Sequence, residues 1–394
     1  MATASPQTQP VESSATAVVF AHLDFILSGV VMTLLGPMLP ILSAKWALND
    51  SQAGYFFIAQ WVVSIAGMLS AGWLVRRIGY RLTLLAGLLL MAIGIATLAQ
   101  PYWTFGLVAV CVFGLGTGLT TPTANLLVGD ANPTHRASAV TFLNASWGVG
   151  ATACPFLVAA FQRGQHTAEF LCGLAIALGV LAATMAVARF AVDGKIAAAP
   201  RSAKQIDGIW TSALTLSVAA LFFIYVGTET CIGGWVASYA HRIDGGPHSL
   251  WAIAPSFFWG AILAGRVFGT FVLRRIGEIK VAGAGVALAA VGVLTILAAE
   301  DIRVILIGTT VAGLGLSSVY PINVSLLEEW FGSALTVVSG VIFSVGNLGG
   351  AALPWAVGAL STRFGGLRAG FVVPLAGAGF MLTFYFFHPK PRVN

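Results

Sequence analysis

Twelve apolar runs, each about the length needed to cross a bilayer, follow one another along almost the whole chain. A spanning helix takes about 20 mostly apolar residues. Lipid offers no partner for backbone amides, so only helices or closed barrels can span it, and runs this long exclude barrel strands. The runs lie near 17–43, 51–75, 81–99, 103–128, 137–161 and 168–190, then near 210–241, 249–273, 280–298, 302–327, 334–359 and 368–388. We number them spans 1 to 12. Only 9% of the 394 residues are charged, against about 25% in a soluble domain. The expected fold class is an all-α integral membrane protein.

A polar stretch at 191–209, with Asp193, Lys195, Pro200, Arg201, Lys204 and Asp207, is the longest hydrophilic connection. It divides the chain into a six-span half at 17–190 and a second at 210–388. Residues 1–16 are expected to be a disordered tail without the basic region of a cleavable signal peptide, and 389–394 a second short tail. Orientation follows from Lys and Arg. One set of connections carries Arg76, Arg77, Arg81, Arg136, Arg189, Lys195, Arg201, Lys204, Arg274, Arg275, Lys280, Lys390 and Arg392. The other carries Lys45, Arg163, Arg242, Arg303, Arg363 and Arg368, so the division is 13 against 6. Both termini and the linker are expected on the cytoplasmic side of a bacterial-type inner membrane. The net charge of +6 suits basic loops on an anionic leaflet, not a nucleic-acid partner.

The halves repeat. GMLSAGWLVRRIG at 67–79 aligns with GRVFGTFVLRRIG at 265–277, and GLGTGLTTP at 114–122 with GLGLSSVYP at 313–321. Pro155 aligns with Pro354 at the same spacing. Two related halves with a site between them form a transporter plan, with binding near the midplane at the repeat interface.

Three ionisable groups lie well inside spans: Asp24, Glu229 and Arg266. A charge at bilayer depth costs ~3 kcal/mol on insertion scales, and such residues mark ion or substrate pathways by default. Glu229 sits in FFIYVGTETCIGGW at 222–235, just before Gly233 and Gly234. The glycines let a helix bend or unwind, and freed backbone groups persist in a membrane only beside protein or a water-filled cavity. This stretch is therefore expected to border a solvated pathway; a static hydrogen bond between helices is the alternative. Burial and a nearby cation act in opposite senses on a carboxylate, so an acid balanced between them can load and release a proton.

Depth predicts a partner for Asp24. Asp24 and Arg266 each lie about seven residues, roughly 10 Å, from the cytoplasmic ends of their spans, and they belong to opposite halves. An Asp24–Arg266 pair is expected to close the cytoplasmic side, with protonation of Asp24 weakening it; a fixed structural pair, or Asp24 facing cytoplasmic water, is the alternative. Glu229 lies deeper, so a direct Glu229–Arg266 pair is not expected. His22 is expected to be interfacial, since residues two apart do not share a helix face; a proton relay to Asp24 is the alternative.

The neutral candidates for substrate contact are Gln60, Trp61, Asn125, Asn144, Trp147, Tyr225, Trp259, Tyr320, Asn323 and Asn347, with Glu229 beside them. Amides donate and accept, which suits hydroxyl-rich ligands. Aromatic faces with a few placed polar groups make up an ordinary small-molecule site. Gly114, Gly116 and Gly118 form a GxGxG run with no preceding strand, which reads as close helix packing and not as a phosphate loop. Cys111, Cys154, Cys172 and Cys231 all fall in spans without metal-ligand spacing, so free thiols are expected. No metal or cofactor is expected, nor any enzymatic constellation.

Twelve spans in two related halves, with a basic loop after span 2 and its echo after span 8, resemble the major facilitator superfamily over almost the whole chain. That family's loop signature is roughly G-x-L-x-D-R-x-G-R-[KR]. GWLVRRIGYR at 72–81 keeps Gly72, Leu74, Arg77, Gly79 and Arg81, and has Arg76 where the acid stands. YVGTE at 225–229 with GGW at 233–235, FWGAILAGR at 258–266 and SVGNLGGAALPWAVG at 344–358 are similar to the fucose–proton symporter and glucose/galactose permease branch. The resemblance implies two pseudo-symmetric six-helix halves, alternating access, gating by the loop at 72–81, and a monomer. It also implies acids in spans 1 and 4. Asp24 fits the first; span 4 has Asn125 and no acid. The expected function is proton-coupled uptake of a monosaccharide or similar polyol, with sodium open as the coupling ion. A proton-coupled exporter of drugs or amphiphiles, a sugar uniporter and a non-transporting sensor are the alternatives.

Overall fold

The computed structural model describes residues 11–188, 209–246, 249–273 and 275–387. The linker expected at 191–209 falls outside them apart from Ile209, as does the C-terminal tail. The helix Val11–Thr33 begins inside the stretch expected as an N-terminal tail.

Twelve spans are present. Spans 2 and 3 run as one 48-residue helix, Asp50–Thr97. At 1.5 Å per residue it would be about 70 Å long, twice the hydrocarbon core of a bilayer, so it has to turn back on itself. It does so at Gly79, with φ +84° and ψ 169°, a conformation that glycine adopts without a side-chain clash. Span 1 is two helices, Val11–Thr33 and Leu35–Trp46, and span 10 is Ile302–Leu316 and Val319–Phe331. Pro37 and Pro321 follow these interruptions, and neither has an N–H for the carbonyl four residues before it. Span 12 is Leu367–Gly370 and Val372–Phe387. The other spans are single helices: Trp103–Ala131, Arg136–Arg163, Thr167–Val187, Ala213–Ile243, Ala254–Leu273, Glu278–Ala298 and Leu335–Phe364.

The repeat read in the sequence reappears in the packing. Gly150 of span 5 lies against the Ile26 carbonyl of span 1, and Gly349 of span 11 against the Phe223 carbonyl of span 7. Gly114 of span 4 meets the Gln60 carbonyl of span 2, and Gly313 of span 10 meets the Phe258 carbonyl of span 8. Lipid tails give helices no hydrophobic reason to associate, so backbones must come close enough to gain from packing. A Cβ at any of these four positions would overlap a carbonyl oxygen, which cannot rotate away. Gly150→Ala is therefore expected to push spans 1 and 5 apart and lower stability by about 1–3 kcal/mol, the usual cost of overpacking. Thermal unfolding in detergent measures this, and an unchanged midpoint would contradict it. The GxGxG run packs as the sequence suggested: Gly114 and Gly118 face span 2, and Gly116 faces Gly87 of span 3. All four cysteines are free.

Span 7 corrects one expectation. Ala213–Ile243 is a continuous helix, so Gly233 and Gly234 do not break it. They admit neighbours instead. The Trp259 ring lies on Gly233 and the Phe57 ring on Gly234, while Gly36 of span 1 crosses the Gly233 carbonyl.

Candidate functional site

The two halves meet along spans 1 and 7, 2 and 11, and 5 and 8. We call the end of the bundle holding residues 76–81 and 130–136 the terminal face, and the other end the far face. Among the described residues, the hydrogen bonds that cross between halves run from the far face to the membrane middle. At the far face, Asp50 begins span 2 and accepts from Arg242 of span 7 and Ser361 of span 11. The Ser51 N–H donates to Thr362 Oγ1 at 2.9 Å, and Gly358 lies on the Asp50 carbonyl. Below them Tyr55 packs on Trp355 and Phe57 on Trp235, with ring centroids 6.4 and 5.9 Å apart. Asn347 Nδ2 lies 2.7 Å from Met68 Sδ, and Ser256 donates to the Thr152 carbonyl at 2.8 Å. The conformation is thus sealed on the far face.

Where the seal ends, at mid-depth, several candidate residues come together across the seam. Trp147 of span 5 and Trp259 of span 8 meet edge to face, 5.5 Å apart. The Trp259 indole N–H is buried with no acceptor. Trp61 of span 2 lies over Gly350 of span 11. Asn144 donates to Asn125 Oδ1 at 3.3 Å, joining spans 5 and 4. Tyr225 packs on Tyr320, centroids 5.6 Å apart. Its hydroxyl lies 3.0 Å from Glu229 Oε1 and 3.4 Å from the Leu316 carbonyl at the interruption of span 10. Glu229, Arg266, Trp61, Asn144, Trp147 and Asn347 are each half-buried. These side chains lie at mid-depth on spans that face one another across the seam.

Other candidates are placed elsewhere. Gln60 is 3% exposed and donates to the Met32 carbonyl at 3.0 Å, tying spans 1 and 2 within one half. Asn323 is 1% exposed and accepts from Tyr385 at 2.5 Å, so it joins spans 10 and 12. Neither lines the seam as expected for a substrate contact, because each amide bonds within its own half. Asp24 is 0% exposed, and neither carboxylate oxygen has a hydrogen-bond partner. One turn on, the Ser28 hydroxyl points to Thr120 of span 4 at 3.4 Å, which puts Asp24 on the face turned into its own half.

The expected Asp24–Arg266 pair is absent. Arg266 forms no ion pair with a described carboxylate, and its Nε is buried with no hydrogen-bond partner. Equal depth was the wrong criterion: which face of span 1 carries Asp24 decides the matter, and that face looks away from span 8. His22 is not simply interfacial either, since its Nδ1 lies 2.8 Å from Ser146 Oγ of span 5.

In the loop at 72–81, the Arg77 guanidinium lies 4.9 Å above the Trp73 ring. Gly72 has only Arg76 near it, Gly79 makes the turn, and Arg81 Nε is buried without a partner. The acid missing at Arg76 has a counterpart in space. Tyr80 donates to Asp130 at the end of span 4 at 2.5 Å, and Arg136 at the start of span 5 lies 3.6 Å from the same carboxylate. Neither this cluster nor the Asp50 latch was read from the sequence. Asp50 follows Asn49, whose side chain caps the helix by bonding Gln52, and it looks there like one more helix-start acid.

A family model described as Major Facilitator Superfamily matches residues 25–299 and 249–394. A glucose/galactose transporter of Brucella abortus is 27% identical, with 95% of this chain and 96% of that protein covered. The fucose:proton symporter of E. coli superposes with a TM-score of 0.65 at 18% identity, covering 96% of this chain and 100% of that one. The xylose transporter XylE of E. coli, in an inward-open conformation, superposes with a TM-score of 0.75 at 14% identity, covering 97% and 98%.

Proposed function

The chain belongs to the major facilitator superfamily, and from that premise we propose that it carries a monosaccharide or similar polyol across the membrane by alternating access, coupled to protons. One observation carries the reading. Two tryptophans from opposite halves, Trp147 and Trp259, meet across the seam, and the Trp259 ring lies on Gly233, one turn from half-buried Glu229. Ring faces, an unclaimed indole donor and a carboxylate suit a pyranose with apolar faces and a rim of hydroxyls. The names of the Brucella and E. coli relatives point to the same substrate class. With the termini in the cytoplasm, as the distribution of Lys and Arg supports, the sealed far face is external and the conformation faces inward.

Two acids divide the coupling. A bare carboxylate at Asp24 would bear the whole penalty of desolvation with no donor to offset it. This conformation therefore accommodates the neutral acid, and the proton would leave when span 1 moves. Glu229 reports on the substrate. The Tyr225 hydroxyl has one hydrogen and two acceptors within reach. With Glu229 ionised it donates there; with Glu229 protonated or held by a sugar hydroxyl, it turns to the Leu316 carbonyl. Occupancy of the site is thereby felt at the interruption of span 10. Arg266 supplies the counter-charge to Glu229.

The test is uptake of a labelled monosaccharide panel into proteoliposomes, with an inward proton gradient, a sodium gradient, or neither. Accumulation of one sugar above its external concentration under the proton gradient alone is the expected result. Accumulation under sodium alone would overturn the choice of ion. Uptake that only equilibrates would make the protein a uniporter, and no uptake under any gradient would overturn the sugar reading in favour of export.

A further inference from the structure

Beside the seal on the far face lies a hollow of about 310 Å³, between the end of span 7 and the connection from span 11 to span 12. Its wall includes Tyr239, Arg242 and Arg368 and the backbone of Gly365 and Gly366. Arg368 meets only neutral groups there: its Nε lies 3.4 Å from the Tyr239 hydroxyl and a terminal nitrogen 3.3 Å from the Ala299 carbonyl. It forms no ion pair with a described carboxylate. Arg242 spends one terminal nitrogen on Asp50, and its side chain is 45% exposed. Two guanidinium groups therefore share one hollow, and Asp50, the one described carboxylate paired with either of them, is not part of its wall. Like charges so placed are relieved by an anion between them, and the planar fork of arginine matches the oxygens of carboxylate and phosphate.

We propose that this hollow binds a compact oxyanion, carboxylate or phosphate, across Arg242 and Arg368, and that its occupancy loosens the latch between Arg242 and Asp50. An anion on the free edge of Arg242 shares the charge that holds Asp50 and brings a second negative charge close to it. Both effects weaken the closure and favour opening of the far face. The oxyanion is either a soluble ion or the headgroup of an acidic lipid, since the ends of spans 7, 11 and 12 lie at the level where headgroups begin. The proposal rests on the reading of the far face as one that opens.

The experiment uses the full chain with its four cysteines replaced by alanine and spin labels at Gln100→Cys and Arg303→Cys, on the far ends of opposite halves. Inter-label distances are measured in phosphatidylcholine nanodiscs, in the same discs with inorganic phosphate, and in phosphatidylglycerol discs. The long-distance population is expected to rise roughly fivefold or more with the anion, the low end of coupling between two sites. A rise with phosphate in neutral discs assigns the site to a soluble ion; a rise only in phosphatidylglycerol assigns it to a headgroup. Arg368→Gln is expected to abolish either response and Arg368→Lys, which keeps the charge without the fork, to retain part of it. No response in either condition, or one that survives Arg368→Gln, would overturn the proposal. Asp50→Asn serves as the separate check on the latch. It is expected to raise the long-distance population with no anion present. Unchanged distances there would fail the reading of the far face while leaving the anion response to be judged by itself.

Discussion

Replacing Asp24 with asparagine is expected to abolish proton-driven accumulation while leaving exchange of labelled for unlabelled substrate intact. Asparagine has nearly the shape of a protonated aspartic acid and can neither gain nor lose a proton in this range. The pocket around Asp24 contains no hydrogen-bond donor for a carboxylate, so the neutral replacement should fold and pack as the parent does. A gradient of one pH unit can drive about tenfold accumulation per proton, 1.4 kcal/mol being a factor of ten. The variant should lose all of it and only equilibrate substrate. Uphill uptake by Asp24→Asn at the parental level would remove Asp24 from the coupling. Loss of exchange together with loss of accumulation would make it a structural residue instead.

The second large effect is expected at Glu229. Glu229→Gln keeps the length of the side chain and an oxygen for the Tyr225 hydroxyl, but removes the charge. A hydrogen bond to a charged group contributes about 1.5–3 kcal/mol, so substrate affinity should fall about ten- to a hundredfold. The measurement is the dissociation constant of the transported sugar in detergent, beside the unfolding midpoint. A role in binding lowers affinity and leaves the midpoint nearly in place. A midpoint that drops while affinity holds would assign Glu229 to helix packing, with Tyr225 and Arg266 as its structural partners.

Much of the architecture was legible before any coordinates. The length of each apolar run marked a span because the bilayer sets a minimum length and forbids unpaired backbone. The spacing that aligns the halves pairs Gly150 with Gly349 and Gly114 with Gly313, and the structure packs each against a carbonyl. Much less of the site could be read. Sequence singled out Glu229, Arg266, Trp147 and Trp259 because charged or large aromatic groups at mid-depth call for a reason. It could not say that Asn323 faces Tyr385 or that Gln60 bonds Met32, because an amide has the same letter on either face of a helix. Gly233 and Gly234 show the same ambiguity. A glycine pair permits both a break and a close approach, and here rings and a crossing helix occupy the space a side chain would fill.

What the sequence determined by itself is the class of molecule: twelve helices, two related halves, and three ionisable groups held at depth. Each of these follows from local composition measured against the thickness of the bilayer, which needs no knowledge of neighbours. What only the tertiary structure decided is who meets whom across the seam. Asp50 closes the far face with residues 192 and 311 positions away, and Asp24 and Arg266 do not pair. Depth along a span can be counted from the sequence. The rotation of each helix about its own axis is set by packing against its neighbours, and that rotation chooses the partners.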